Sequence, residues 1–175
     1  PHTPHLFLLS PPHALPISQN TIKELDTIPP GSSWVKFIPW IITALIATGF
    51  IWGFSKNSDL GWDLIKTWVI YNGVLAAIGA AIARAHIFTI ISAFFAAPVT
   101  SLNPAIGAGM VTALVETYMR KPKVSDFQDL QTDATELKGW WRNPVTRILL
   151  VFILTNLGSG IGTWVSGFKI FAALV

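Results

Sequence analysis

The sequence predicts an all-α, polytopic helical membrane domain with about three full spans, a Pro-broken helical hairpin and one amphipathic surface helix. Three observations carry that expectation. Of 175 residues, 51% are hydrophobic and only 12% charged, against roughly 25% charged in ordinary soluble domains. The mean hydropathy is +0.53 over the whole length, which is hard to reconcile with a surface facing water. The lack of charge is also regional: residues 37–55 and 148–168 contain no Asp, Glu, Lys or Arg, and about 20 apolar residues suffice for a helix to cross roughly 30 Å of hydrocarbon.

The formal charge is +3, but the basic residues sit at the ends of apolar runs and form no stripe. They read as topology determinants and not as a nucleic-acid surface. The absence of cysteine excludes disulfides and thiolate metal sites and leaves the redox compartment open. The chain opens on Pro1 and closes on the apolar run from Ile170 to Val175, which predicts a piece of something longer.

Residues 1–33 hold seven of the twelve prolines and three of the four histidines. They read as a poorly ordered Pro-rich tail or linker, leaving 34–175 as the helical membrane domain. His2, His5 and His13 have neither partner carboxylates nor the i, i+4 spacing of a helical metal site, so no metal is assigned.

The first span is expected from about Val35 to Phe54, flanked by Trp34, Lys36, Trp40, Trp52 and Lys56 as interfacial anchors. A second runs from about Leu64 to Ala83 and leaves the membrane at Arg84 and His86. In it Gly73, Ala77 and Ala81 recur every fourth residue, a face on which another backbone can approach closely.

Residues 87–119 are apolar but interrupted by Pro98 and by the run from Thr100 to Pro104. Proline removes a backbone donor and disfavours helix at the preceding residue, so the expected form is helix, polar turn, helix. Arms of roughly 20 to 24 Å are short for a full crossing, which predicts a re-entrant or shallow hairpin.

From Ser125, whose spacing to Gln128 fits a capping box, Phe127, Leu130, Ala134 and Leu137 recur in a 3-4-3 pattern. Asp126, Asp129, Asp133 and Glu136 share the other side, and Gly139 suits a C-terminal cap. This is the expected amphipathic surface helix. Trp140, Trp141 and Arg142 mark the return to the interface, and a last span follows from about Val145 to Val165. It carries the small-residue run from Gly158 to Gly162, with Asn156 as its one amide.

With the N-terminus cytoplasmic and the hairpin returning to the side it left, Lys36, Arg84, Arg120, Lys121, Lys123, Arg142 and Arg147 all face the cytoplasm. Only Lys56, Lys66 and Lys169 then lie outside.

No His-Glu-x-x-His, Gly-x-Ser-x-Gly, phosphate-binding Gly-rich loop or Cys nucleophile is present, so no catalytic residue and no cofactor are assigned. The candidate polar hairpin or binding residues are Thr100, Ser101, Asn103, Glu116 and Arg120. Glu116 either serves as a proton or ion site or pairs with Arg120 one turn on. Thr100, Ser101 and Asn103 either line a cavity or, through Asn103, cap a helix opening at Pro104. Asn103-Pro104-Ala105 matches the half-helix motif of aquaporins, but that architecture needs two such motifs in inverted halves. Here the second Asn-Pro, at Asn143, is followed by Val145.

The string from Ala97 to Gly109, followed by Leu114-Val115-Glu116, Arg120-Lys121-Pro122 and Asp126-Phe127, resembles the C-terminal membrane region of the TraB/PrgY pheromone-shutdown family. So does the run from Lys138 to Asn143 continuing into Val145–Val151 and Asn156–Ser159. The resemblance covers residues from about 21 to 168 and leaves the first 20 unmatched. It implies a longer protein with a soluble N-terminal TraB domain, similar to the TIKI-type metalloprotease group, that limits a self-produced peptide pheromone. The Gly-x-x-His and Glu-bearing motifs of that domain are absent here, so this chain is expected to be the membrane half, in the cytoplasmic membrane of a prokaryote. The lipid bilayer, the soluble TraB domain and a peptide are the implied partners, with homo-oligomerisation open. The alternative function is a small transporter or channel built on the discontinuous hairpin 87–119.

Overall fold

Nineteen residues from Ile38 to Lys56 carry no charge before the last position, and Pro39 sits in the first turn, where its missing N–H costs nothing. They form helix α1. Asn57 then breaks the chain into extended backbone, and its side chain accepts from the Asp59 N–H at 3.0 Å, capping α2 (Ser58–Ile82). The hairpin consists of α3 (Ile87–Thr100) and α4 (Ala108–Arg120). Three short helices follow, α5 (Val124–Gln128), α6 (Leu130–Thr135) and α7 (Gly139–Arg142), before the long α8 (Pro144–Leu174).

In this computed structural model, Trp34 and residues 37–103 and 105–174 are described. The chain divides into two units, 1–36 and 37–175. The Pro-rich tail expected over 1–33 and the anchor Lys36 lie outside the described residues, as does Pro104. The described residues contain helices and no strand, and α1, α2 and α8 are long and apolar enough to cross a membrane.

Helix α8 packs antiparallel on α2 through glycines. A Cβ at Gly79 would strike the Leu154 carbonyl, one at Gly158 the Leu75 carbonyl, and one at Gly162 would come within 2.7 Å of the Asn72 Cα. Helix α3 closes on α2 and α4 on α3 and α8, with Ala76, Ala80, Ala93, Ala97 and Ala108 in one apolar cluster. Ile46, Leu64, Trp68 and Ile170 join α1 to the far end of α2 and α8.

Four sequence expectations change. The close-packed stripe of α2 is Asn72, Gly73, Ala76, Gly79, Ala80 and Ala83, whereas Ala81 is exposed. The 3.6-residue period drifts away from a strict four-residue repeat. Pro98 does not end its helix. The carbonyl it deprives of a partner, that of Phe94, lies against Gly73, and its own carbonyl accepts from the Trp68 indole N–H at 3.0 Å, so α2 packs over the interruption and holds the last turn of the helix. The last span continues nine residues past Val165, so Ser166 is buried in the bundle.

The single surface helix expected around Ser125 is two short ones parted at Asp129. The first is capped from Lys123, whose N–H donates to the Asp126 carboxylate at 2.7 Å. Asp133 is buried and Phe127 and Leu137 are exposed, so the polar and apolar sides are not as the spacing predicts. Gly139 opens α7 and lies buried against the Asp133 carbonyl, where no Cβ fits.

Candidate functional site

An amide inside an apolar helix must find partners, because lipid offers none. Asn72, midway along α2 and 0% exposed, finds four. Its Nδ2 donates to the Trp68 carbonyl at 3.1 Å and to Ser166 Oγ at 3.3 Å. Its Oδ1 accepts from Ser101 Oγ and Thr163 Oγ1, each at 3.0 Å. That is the whole capacity of an amide side chain. Ser101 Oγ also lies 2.8 Å from Ser159 Oγ, so one polar cluster ties the tip of the hairpin to both long helices. Nearby, Asn156 Oδ1 accepts from the Gly109 N–H at 2.9 Å, holding the start of α4 on α8.

A depression of about 240 Å³ opens beside this cluster, lined in part by Thr100, Ser101, Asn103, Gly107 and Asn156. Thr100 Oγ1 donates back to the Ala96 carbonyl at 2.9 Å. Asn103 Oδ1 accepts from the Ala105 N–H at 2.9 Å and so closes a turn. It does not cap α4, whose N-cap is Gly107. The helix opens four residues later than the Pro104 position suggested, because an Asx turn competes with helix initiation there.

Glu116 lies at the opposite end of α4 from this turn, eight residues or about 12 Å of rise from Ala108. The structure therefore separates Thr100, Ser101 and Asn103 from Glu116 and Arg120. Glu116 is 0% exposed. One carboxylate oxygen accepts from Thr89 Oγ1 at 2.6 Å and from the His86 N–H at 2.9 Å, and the other from Arg120 Nε at 2.6 Å. Arg120 Nη2 also donates to the Arg84 carbonyl at 2.9 Å. The pairing fastens the base of the hairpin to the α2–α3 corner, where Arg84 adopts φ 56°.

Below this corner, the Arg142 guanidinium and Asn143 Nδ2 hydrogen-bond the Asp133 carboxylate and hold it below the usual carboxylate range. Asn143 also accepts from the Val145 N–H at 2.8 Å, capping α8 ahead of Pro144 at its first position. The Trp141 indole donates to the Ile82 carbonyl at 2.9 Å. Among the described residues no group of three His, Asp or Glu side chains could hold a metal ion.

The sequence reading did not single out Asn72, Thr89 or Thr163, took His86 only as the exit of the second span and Ser159 only as part of a small-residue run. For α8 a signal existed. Asn156, Ser159, Thr163 and Ser166 recur at 3-4-3 spacing inside an apolar run, a polar face that the adjoining glycines mask when read only as a packing motif.

No solved structure matches the chain. Over 111 residues, 62% of its length, the chain is 34% identical to the uncharacterized protein MJ1365 of Methanocaldococcus jannaschii, and the match spans 28% of that relative. The family description "TraB family protein, C-terminal domain" matches residues 34–175. With the match covering far more than half of its length, the chain belongs to the TraB family and carries that family's C-terminal domain.

Proposed function

We propose that residues 37–175 are a membrane-embedded anchor that holds the soluble TraB domain of a longer protein at the bilayer. One observation carries this reading. The largest fully buried side chains are, apart from Val151, polar: Glu116, Asn72, Thr89, Thr112, Thr146, Thr155 and Ser166. Large apolar side chains such as Leu114, Phe168 and Phe95 are exposed, at 72%, 67% and 68%. A bundle whose buried polar groups, the Thr155 hydroxyl and Arg147 Nε apart, are hydrogen-bonded inside and whose apolar surface lies outside fits hydrocarbon as solvent.

The proposed orientation places the loop 120–147 in the cytoplasm. Arg84, Arg120, Arg142 and Arg147 gather at one end of the bundle, supporting that assignment through the bias of basic residues. The hairpin returns to the end it leaves, where Glu116 meets Thr89 and His86, and arms of 14 and 13 residues, roughly 20 Å each, support entry without a full crossing. The anchored protein would act in pheromone shutdown, limiting a self-produced peptide.

Single-cysteine mapping in native membranes tests the reading, using Ser58→Cys, Ser125→Cys and Lys169→Cys. Labelling of Ser125→Cys from the cytoplasm and of the other two from outside is expected. Extraction of the protein by carbonate would sink the embedded anchor, and the reverse labelling pattern would sink the orientation.

The transport alternative has one observation in its favour, the polar depression at the hairpin tip. Against it, the hydroxyls and amides around the depression are engaged with one another or with backbone. Flux in proteoliposomes abolished by Asn103→Leu or Glu116→Gln would overturn the anchor-only reading.

A further inference from the structure

A second cavity, of about 370 Å³, lies at the end of the bundle where α2 turns into α3, and is lined by Arg84, Lys138, Trp141 and Arg142. Its charges are unevenly answered. Arg142 is bonded to Asp133 and has Glu136 at 3.9 Å, with the Asp129 carboxylate also in range. Arg84 and Lys138 have no carboxylate partner among the described residues. Beside them, Arg147 donates to the Trp141 carbonyl, its Nε is buried without a partner, and the charges of Arg120 and Arg84 repel it.

The corner holding these cations together is built at some cost. Arg84 sits in the left-handed region, uncommon for a side chain with a Cβ. Its carbonyl is fixed by Arg120, and the neighbouring Ile82 carbonyl by the Trp141 indole. An indole fastened beside a rim of cations is the arrangement expected at headgroup depth. The surface leading from the cavity is apolar: Ile82, whose carbonyl is held by Trp141, is 57% exposed, and Ile78 one turn earlier on α2 is 47% exposed.

We propose that this cavity binds the phosphate of an anionic phospholipid, with Arg84 and Lys138 contacting the phosphate, Trp141 at the ester level and the acyl chains lying along Ile82 and Ile78. The chemistry recognised is a phosphate oxyanion, and the adjoining apolar surface favours a lipid over a free ion. The inference rests on the embedded reading above, and a chain that failed to enter nanodiscs would fail that reading before this one was tested.

The test uses the full chain in nanodiscs of phosphatidylcholine with and without phosphatidylglycerol, reading co-purified lipid by mass spectrometry and melting by intrinsic fluorescence. Enrichment of phosphatidylglycerol around the protein and a higher melting temperature in its presence are expected. Removing each charge should weaken the preference about fivefold, so Arg84→Gln with Lys138→Gln should lose on the order of twentyfold. The Lys56→Gln, Lys66→Gln pair at the other end should retain the preference. Melting of the Arg84, Lys138 pair in pure phosphatidylcholine should match the parent, which separates lost binding from lost folding. Equal retention of both lipids, or an equal loss in the Lys56, Lys66 control, would overturn the site. Stabilisation by millimolar inorganic phosphate in pure phosphatidylcholine, with no preference for phosphatidylglycerol, would overturn the lipid assignment in favour of a free anion.

Discussion

Ser101 Oγ donates to Asn72 Oδ1 at 3.0 Å across 29 positions of sequence. This contact seats the tip of the hairpin against the middle of the interface between α2 and α8. A hydroxyl and an amide fix the depth of an element that apolar packing alone would leave free to slide, because an unmatched polar pair in hydrocarbon costs more than a shifted methyl.

Asn72→Leu removes an amide with all four bonding positions used. We expect a loss of about 1–3 kcal/mol, and a smaller loss for Ser166→Ala, whose hydroxyl answers only one of the four. Reversible unfolding in mixed micelles measures both. An Asn72→Leu protein as stable as the parent would remove the cluster from any structural role.

Glu116 and Arg120 form a pair in which the carboxylate is buried and the guanidinium 28% exposed. Glu116→Gln should cost about 3 kcal/mol, since it leaves the cation without its partner. Adding Arg120→Gln should cost less than the two single losses summed, with a coupling of about 1 kcal/mol or more. A double-mutant cycle by chemical unfolding gives the number, and strict additivity would contradict the pairing.

The glycines of α8 are not equivalent. Gly158→Leu drives a side chain into the Leu75 carbonyl, whereas Gly160 has nothing within 4 Å of an added Cβ. Gly158→Leu should cost about 1–3 kcal/mol or prevent folding, and Gly160→Leu should lie within about 0.5 kcal/mol of the parent. Gly109→Leu, facing the Phe152 carbonyl and Asn156, should behave like Gly158→Leu. Detergent melting curves distinguish the two groups.

Asp133 carries the pH dependence of the segment from Val124 to Arg142. Its carboxyl is held below the usual range first by the hydrogen bond from Arg142 and then by that from Asn143. A depressed folded-state value stabilises the segment above the unfolded value, and that contribution is lost as pH falls from about 4 through the folded one. Proteolytic cutting between Lys123 and Lys138 should therefore rise on acidification. Asp133→Asn should show raised cutting already at neutral pH and little further change.

The apolar spans, the hairpin and the basic end were legible because each rests on a local property. Hydropathy over about 20 residues needs no partner to be read, and neither does a polar break between two apolar arms, although Asn103 closes an Asx turn there and does not cap the next helix. The fate of Pro98 was not local. Whether a proline ends a helix depends on what packs over the interruption, and Gly73 and Trp68 lie 21 and 30 positions away from Phe94 and Pro98. The same holds for Asp133, placed by its spacing on a solvated face yet buried because Arg142 and Asn143 come back to meet it.

The sequence by itself determined that this chain is helical, that three of its segments are apolar enough for a bilayer, and, through the run from Ala97 to Gly109, which family it belongs to. Only the tertiary structure decided which polar residues matter. It gathered Asn72, Ser101, Ser159, Thr163 and Ser166 at mid-depth, and Glu116 with Thr89, Arg120 and the backbone of His86 at one end. The physical reason is that burial in an apolar medium is a demand each residue makes alone, whereas the hydrogen bonds that make a buried polar group tolerable are supplied by helices distant in sequence.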